Sequence, residues 1–145
     1  MKRKISILVL ITILILTACA GCNGRDALKD GYYTAEMAEF SYGWKEYLRI
    51  QVKDGTIVSA EYNAKNESGF IKAWDNSYME NMVDIQGTYP NKYTREYVQQ
   101  LIDGQADVQV DIITGATTSG NNFEKLVEAV LQQAKKGNTE TMLVE

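Results

Sequence analysis

Apolar residues run from Ile5 to Leu16, broken only by Ser6 and Thr12, behind the basic trio Lys2, Arg3 and Lys4. A run shorter than the ~20 apolar residues a bilayer span needs, with a basic start, reads as an export signal and not as an anchor helix. After a polar stretch the pattern turns to strands. Tyr32, Tyr33 and Thr34 favour extended structure. Leu48, Ile50 and Val52 alternate with Tyr47, Arg49 and Gln51, and Val58, Ala60 and Tyr62 alternate again, the period of half-buried strands. The intervening Lys53-Asp54-Gly55 predicts a three-residue hairpin loop with Gly55 left-handed, placing both apolar sets on one face.

Helical spacing follows. Tyr78, Met79, Met82 and Val83 come after Asp75 and Asn76, either of which can cap, and Gly87 closes the segment. Tyr93, Tyr97, Val98, Leu101 and Ile102 repeat the pattern up to Gly104. Val108, Val110 and Ile112 alternate with Gln109 and Asp111, predicting a strand. Phe123, Leu126, Val127, Val130, Leu131 and Ala134 then form the clearest amphipathic stripe, stopped by Gly137. The expected fold is α+β, a single domain in which an antiparallel sheet has helices packed on it. The divisions are a signal peptide over 1–18, a polar tether over 19–30, the domain over 31–137 and a tail over 138–145.

Cysteine usage refines the N-terminus. Leu16-Thr17-Ala18-Cys19 resembles the lipobox of bacterial lipoproteins, which implies Cys19 as the acyl acceptor. Reading Cys22 the same way would put Cys19 where the signal usually has leucine. The Cys19 to Cys22 spacing also fits a redox pair or half a zinc site, but no cysteine or histidine lies downstream to complete either. Neither a metal site nor a disulfide is expected. Removing Lys2, Arg3 and Lys4 from the 15 basic residues leaves 12 against 19 acidic ones. That balance argues against nucleic acid and against adsorption to anionic lipid, so membrane attachment falls to the lipid.

The candidate chemistry lies between the Val108 segment and the last helix. Asp111-Ile112-Ile113-Thr114-Gly115-Ala116-Thr117-Thr118-Ser119-Gly120 packs glycines and hydroxyls into a turn before a helix, a place for a phosphate. Gly115 permits close approach and Ala116 keeps bulk away, while Thr114, Thr117, Thr118 and Ser119 add hydroxyls. The gap from Gly115 to Gly120 matches a Walker loop, but Asn121 and Asn122 stand where that loop has its Lys and Ser/Thr.

Asp111-x-x-Thr114-Gly115-Ala116-Thr117 resembles the Asp-x-x-(Ser/Thr)-Gly-Ala-(Thr/Ser) signature of the FMN-binding domain family. Such domains occur in peripheral subunits of sodium-translocating NADH:quinone reductases and Rnf complexes, and in small flavinylated lipoproteins of extracellular electron transfer. The resemblance is strong from Asp107 to Leu131 and weaker from Gly31 to Gly104. It implies covalent FMN on Thr117 through a phosphoester bond made by a separate flavin transferase. The implied activity is that of an extracytoplasmic electron carrier, not an enzyme, fed by a membrane reductase or quinone-linked donor. Asp111 can cap a turn or help position Thr117. A chain without histidine offers no evident internal base for self-attachment except a carboxylate such as Asp111. Trp44, Trp74, Tyr78 and Tyr93 are candidates to stack on a flavin ring. The competing reading is a ligand-binding or surface-antigen lipoprotein with a vestigial motif.

Overall fold

The computed structural model describes residues 27–145, so the export signal and Cys19 lie outside the described residues. Three strands come first: β1 (Gly31–Met37), β2 (Lys45–Lys53) and β3 (Thr56–Lys65). A 3-10 turn at Lys72–Trp74 leads into helix α1 (Asn76–Gln86), followed by α2 (Pro90–Gly104), α3 (Thr117–Lys136) and strand β4 (Met142–Val144). The strand order is β3-β2-β1-β4. β1, β2 and β3 pair antiparallel, but β4 joins β1 in parallel, so the sheet is mixed and not purely antiparallel. The residues read as a tail therefore supply an edge strand.

The β2–β3 hairpin closes on two residues, not three, because Lys53 pairs with Thr56. Asp54 (φ 52°) and Gly55 (φ 71°) are both left-handed, the geometry whose twist matches the flanking strands. A register shift beside Gln51 and Val52 then turns Ile57 inward and leaves Val58 exposed. Such a bulge places two residues opposite one, so the expected alternation fails at Val58 and resumes at Ala60 and Tyr62.

Asp75 caps α1, its carboxylate accepting from the Tyr78 N–H at 3.0 Å, and Gly87 ends it with φ 69°. The apolar stripe of α3 (Phe123, Leu126, Val127, Val130, Ala134) packs on Tyr33, Ala35, Leu48, Ile50 and Val52, while α2 brings Tyr93, Tyr97 and Leu101 against Tyr62. The core thus lies between one sheet face and two helices. Folded structure begins before Gly31. Leu28 is buried, the Lys29 N–H donates to the Ala134 carbonyl at 3.0 Å, and Asp30 accepts from the Gly55 N–H. The chain enters the domain beside the last turn of α3.

Residues 108–112 do not form the expected strand. Val108 and Val110 pack against the core, but no strand pairs with them, and Ile112 is 42 % exposed. A glutamine takes the place of the missing partner: the Gln100 side chain accepts from the Asp111 N–H (2.7 Å) and donates to the Asp111 carbonyl (3.0 Å). Gln105 does the same for edge strand β3, binding both the N–H (2.8 Å) and the carbonyl (3.2 Å) of Ile57. Both amides satisfy backbone groups that a ladder would otherwise satisfy.

Candidate functional site

The Thr114-Gly115-Ala116 turn is held from below by tyrosines. The Tyr97 hydroxyl accepts from the Ile113 N–H at 3.0 Å and donates to the Ala116 carbonyl at 3.2 Å. The Tyr62 hydroxyl donates to the Ser119 carbonyl at 2.7 Å. Their rings form one cluster with Phe123: Tyr97 stacks on it at 5.2 Å and Tyr62 tilts against it at 4.8 Å between centroids. Burial pushes the Tyr97 and Tyr62 hydroxyls above their ordinary pKa, and the nearby Glu46 carboxylate raises that of Tyr62 further. They stay protonated at neutral pH and so remain donors. Tyr97→Phe is expected to leave the Ile113 N–H and the Ala116 carbonyl without partners. Removing both bonds should cost about 1–3 kcal/mol, read as a lower urea midpoint with an unchanged slope.

Gly115 sits at φ 82°, where residues with a Cβ are strained. A Cβ there would also collide with the main-chain carbonyl of Gln86, the last residue of α1. The close approach expected at this glycine is thus made in part by the protein's own backbone. Gly120 is equally enclosed, since a Cβ would strike the Tyr97 hydroxyl and Ile112.

The loop hydroxyls differ sharply in setting. Thr117 opens α3 and is exposed, with no side chain capping the helix. Among the described residues, the N–H groups of residues 117–119 have no acceptor, so the positive end of a 20-residue helix stands open beside the Thr117 hydroxyl. Thr118 is also exposed. Ser119 is buried and donates to Glu46 Oε1 at 2.6 Å, which withdraws it from any external reaction. Thr114 and Asp111 are exposed but line no part of the adjoining cleft, and the main chain of Asp111 is engaged by Gln100.

That cleft encloses about 800 Å³ and is walled by the loop, one face of α1, the end of β1, the start of β2 and the end of β4. Gly115, Ala116, Thr117, Thr118 and Ser119 all border it. Trp44, Tyr78 and Tyr93 line it too, Trp44 and Tyr78 meeting edge to face at 6.1 Å. Tyr93 is otherwise a core residue, only 2 % exposed. Trp74, the fourth aromatic candidate, points elsewhere, into a shallow groove between β3 and α2.

Sequence reasoning missed Glu46, which is 8 % exposed at the cleft floor. Its second oxygen accepts from Asn122 Nδ2 at 2.6 Å. A signal existed: Glu46 has the same parity as Leu48, Ile50 and Val52, so the strand's alternation aims it inward. The cleft wall also includes Met82, from the helical pattern, and Phe40, Tyr42, Lys72 and Ile85, none of which the pattern singled out.

Comparison with known proteins gives this chain relatives and a family. The chain is 30% identical over 131 residues to a "15 kDa lipoprotein" of Treponema pallidum (strain Nichols), covering 90% of this chain and 93% of that protein. The crystal structure of the CPE2226 protein from Clostridium perfringens matches with a TM-score of 0.76 and 44% identity, over 81% of this chain and 97% of that one. The FMN-binding domain family matches residues 42–132, a stretch that contains Trp44, Glu46, Tyr78 and the whole loop, and the chain belongs to that family.

Proposed function

We propose that the protein is a lipid-anchored carrier of covalently bound FMN, attached through a phosphoester to Thr117. The observation that carries this reading is the exposed Thr117 hydroxyl at an uncapped helix start, opening into a cleft with aromatic walls. The site suits the group. Unpaired N–H groups at the start of α3 match a phosphate, Gly115 and Ala116 keep the loop low, and Trp44 and Tyr78 offer flat apolar surface. The cleft volume falls in the range of small-molecule sites.

The residues present favour attachment by a separate transferase. The sequence has no histidine, Asp111 stands off the cleft, and both oxygens of Glu46 are already bound by Ser119 and Asn122. Neither Asp111 nor Glu46 is thus placed to take the Thr117 proton. The bound flavin would supply the redox chemistry, while the protein supplies placement and surroundings. Similarity to a lipoprotein and the Leu16-Thr17-Ala18-Cys19 sequence support export and acylation at Cys19, on the extracytoplasmic face. No helix among the described residues is long and apolar enough to cross a membrane. Electrons would pass between a membrane reductase and an acceptor outside.

The test is coexpression of the domain with a flavin transferase. Wild-type protein should show flavin fluorescence in its denatured band and an intact mass raised by one FMN less one water. A dark band, with the transferase active on a control substrate, would overturn covalent carriage and favour a lipoprotein that binds some other ligand.

A further inference from the structure

The cleft's charged lining is unequal. Glu39, Glu46 and Glu145 border it, and Lys72 is the one cation among the lining residues. Lys72 comes from the 3-10 turn that precedes α1, and among the described residues it has no carboxylate within ion-pair distance. Ring faces hold it instead. Its Nζ lies 4.7 Å from the centroid of Tyr78 and 5.8 Å from that of Trp44. A cation seated against two aromatic rings is fixed in place while its charge stays available to a third group.

Its distance from the attachment loop can be read along α1. Gln86 abuts Gly115, and Met82 and Tyr78 follow on the same face, all bordering the cleft. Eight residues of helix separate Gln86 from Tyr78, about 12 Å. That is the reach of a ribityl chain plus part of the ring system beyond it. A flavin fixed by its phosphate at Thr117 and laid along α1 would bring its ring to Trp44, Tyr78 and Lys72.

A flavin that has accepted two electrons from a reductase and one proton at N5 keeps one negative charge, spread over N1 and the C2 carbonyl. We propose that Lys72, seated against Tyr78 and Trp44, is the counter-cation for that edge of the ring and holds the reduced flavin more tightly than the oxidised one. The proposal rests on covalent FMN at Thr117 and assigns Lys72 a positioning and redox-tuning role within that site. The cation also offsets the three carboxylates, which by themselves oppose reduction.

The experiment is a reductive titration of the flavinylated protein against reference dyes, for wild type, Lys72→Met and Lys72→Arg. At a fixed potential the ratio of reduced to oxidised flavin should fall about tenfold in Lys72→Met, equivalent to about 30 mV for a two-electron couple. Lys72→Arg, which keeps the charge, should return the ratio toward wild type. A loss of packing alone would not be repaired in this charge-dependent way. Equal ratios in loaded wild type and Lys72→Met would overturn the role of Lys72 and leave the attachment reading intact. A Lys72→Met protein that takes up no flavin would also overturn it, since Lys72 would then serve attachment and not tuning. A wild type without flavin would instead remove the underlying function.

Discussion

Thr117→Ala is expected to give a folded protein whose denatured band carries no flavin fluorescence. The hydroxyl is exposed and caps nothing, so its loss should change stability by no more than about 0.5 kcal/mol. The neighbouring hydroxyls divide the outcomes. Thr118→Ala should stay fully labelled, because Thr118 is exposed but lies one step further into α3. Ser119→Ala should also stay labelled while losing about 1–3 kcal/mol, since it leaves Glu46 Oε1 buried without its donor. Thr117→Ser should retain label, having kept the hydroxyl and lost a methyl group. Intact mass of each variant checks the set, and a labelled Thr117→Ala would move the attachment to another hydroxyl.

Gly115→Ala should cost both stability and flavin. A side chain at φ 82° is strained by about 1–2 kcal/mol, and forcing a Cβ against the fixed Gln86 carbonyl adds about 1–3 kcal/mol. Gly69 provides a matched control, because it has the same φ of 82° with open space around its missing Cβ. Gly69→Ala should therefore show the dihedral cost alone. The difference between the two variants in urea unfolding isolates the contact between α1 and the loop. Gly115→Ala should also load poorly, because relieving the collision moves the turn that presents Thr117. Full labelling of a Gly115→Ala protein as stable as Gly69→Ala would show that loop and helix are not in register as described.

The hairpin and three helices were legible because their apolar residues repeat with the period of a strand or helix over a turn or more. β4 was not, since Met142-Leu143-Val144 is too short to show a period and exists only by pairing with β1. Residues 108–112 carry a strand's alternation, yet the groups that satisfy their backbone belong to Gln100, a contact eleven residues away that no local pattern announces. Within the site, the sequence located the loop and three of the aromatic walls. It could not sort the loop's hydroxyls, because the withdrawal of Ser119 depends on Glu46, 73 residues earlier. Lys72 gave no sign, being one lysine between Phe70-Ile71 and Ala73-Trp74 with no period to place it until folding sets it against Tyr78.

The entry of the chain beside the last turn of α3 has a geometric consequence if the protein is anchored at Cys19 as proposed. Lys29 is bonded to Ala134 and Lys136, while Thr117 opens the other end of the same 20-residue helix. The helix is thus a rigid boom about 30 Å long with its pivot at the tether and its load at the tip. The nine Cα–Cα steps from Cys19 to Leu28 span at most ~32 Å. With the proposed lipid on Cys19, these two lengths together would let the site reach about 60 Å from the bilayer at most. On that proposal, deleting residues between Cys19 and Leu28 should restrict the site's access to the membrane surface before its access to the outside.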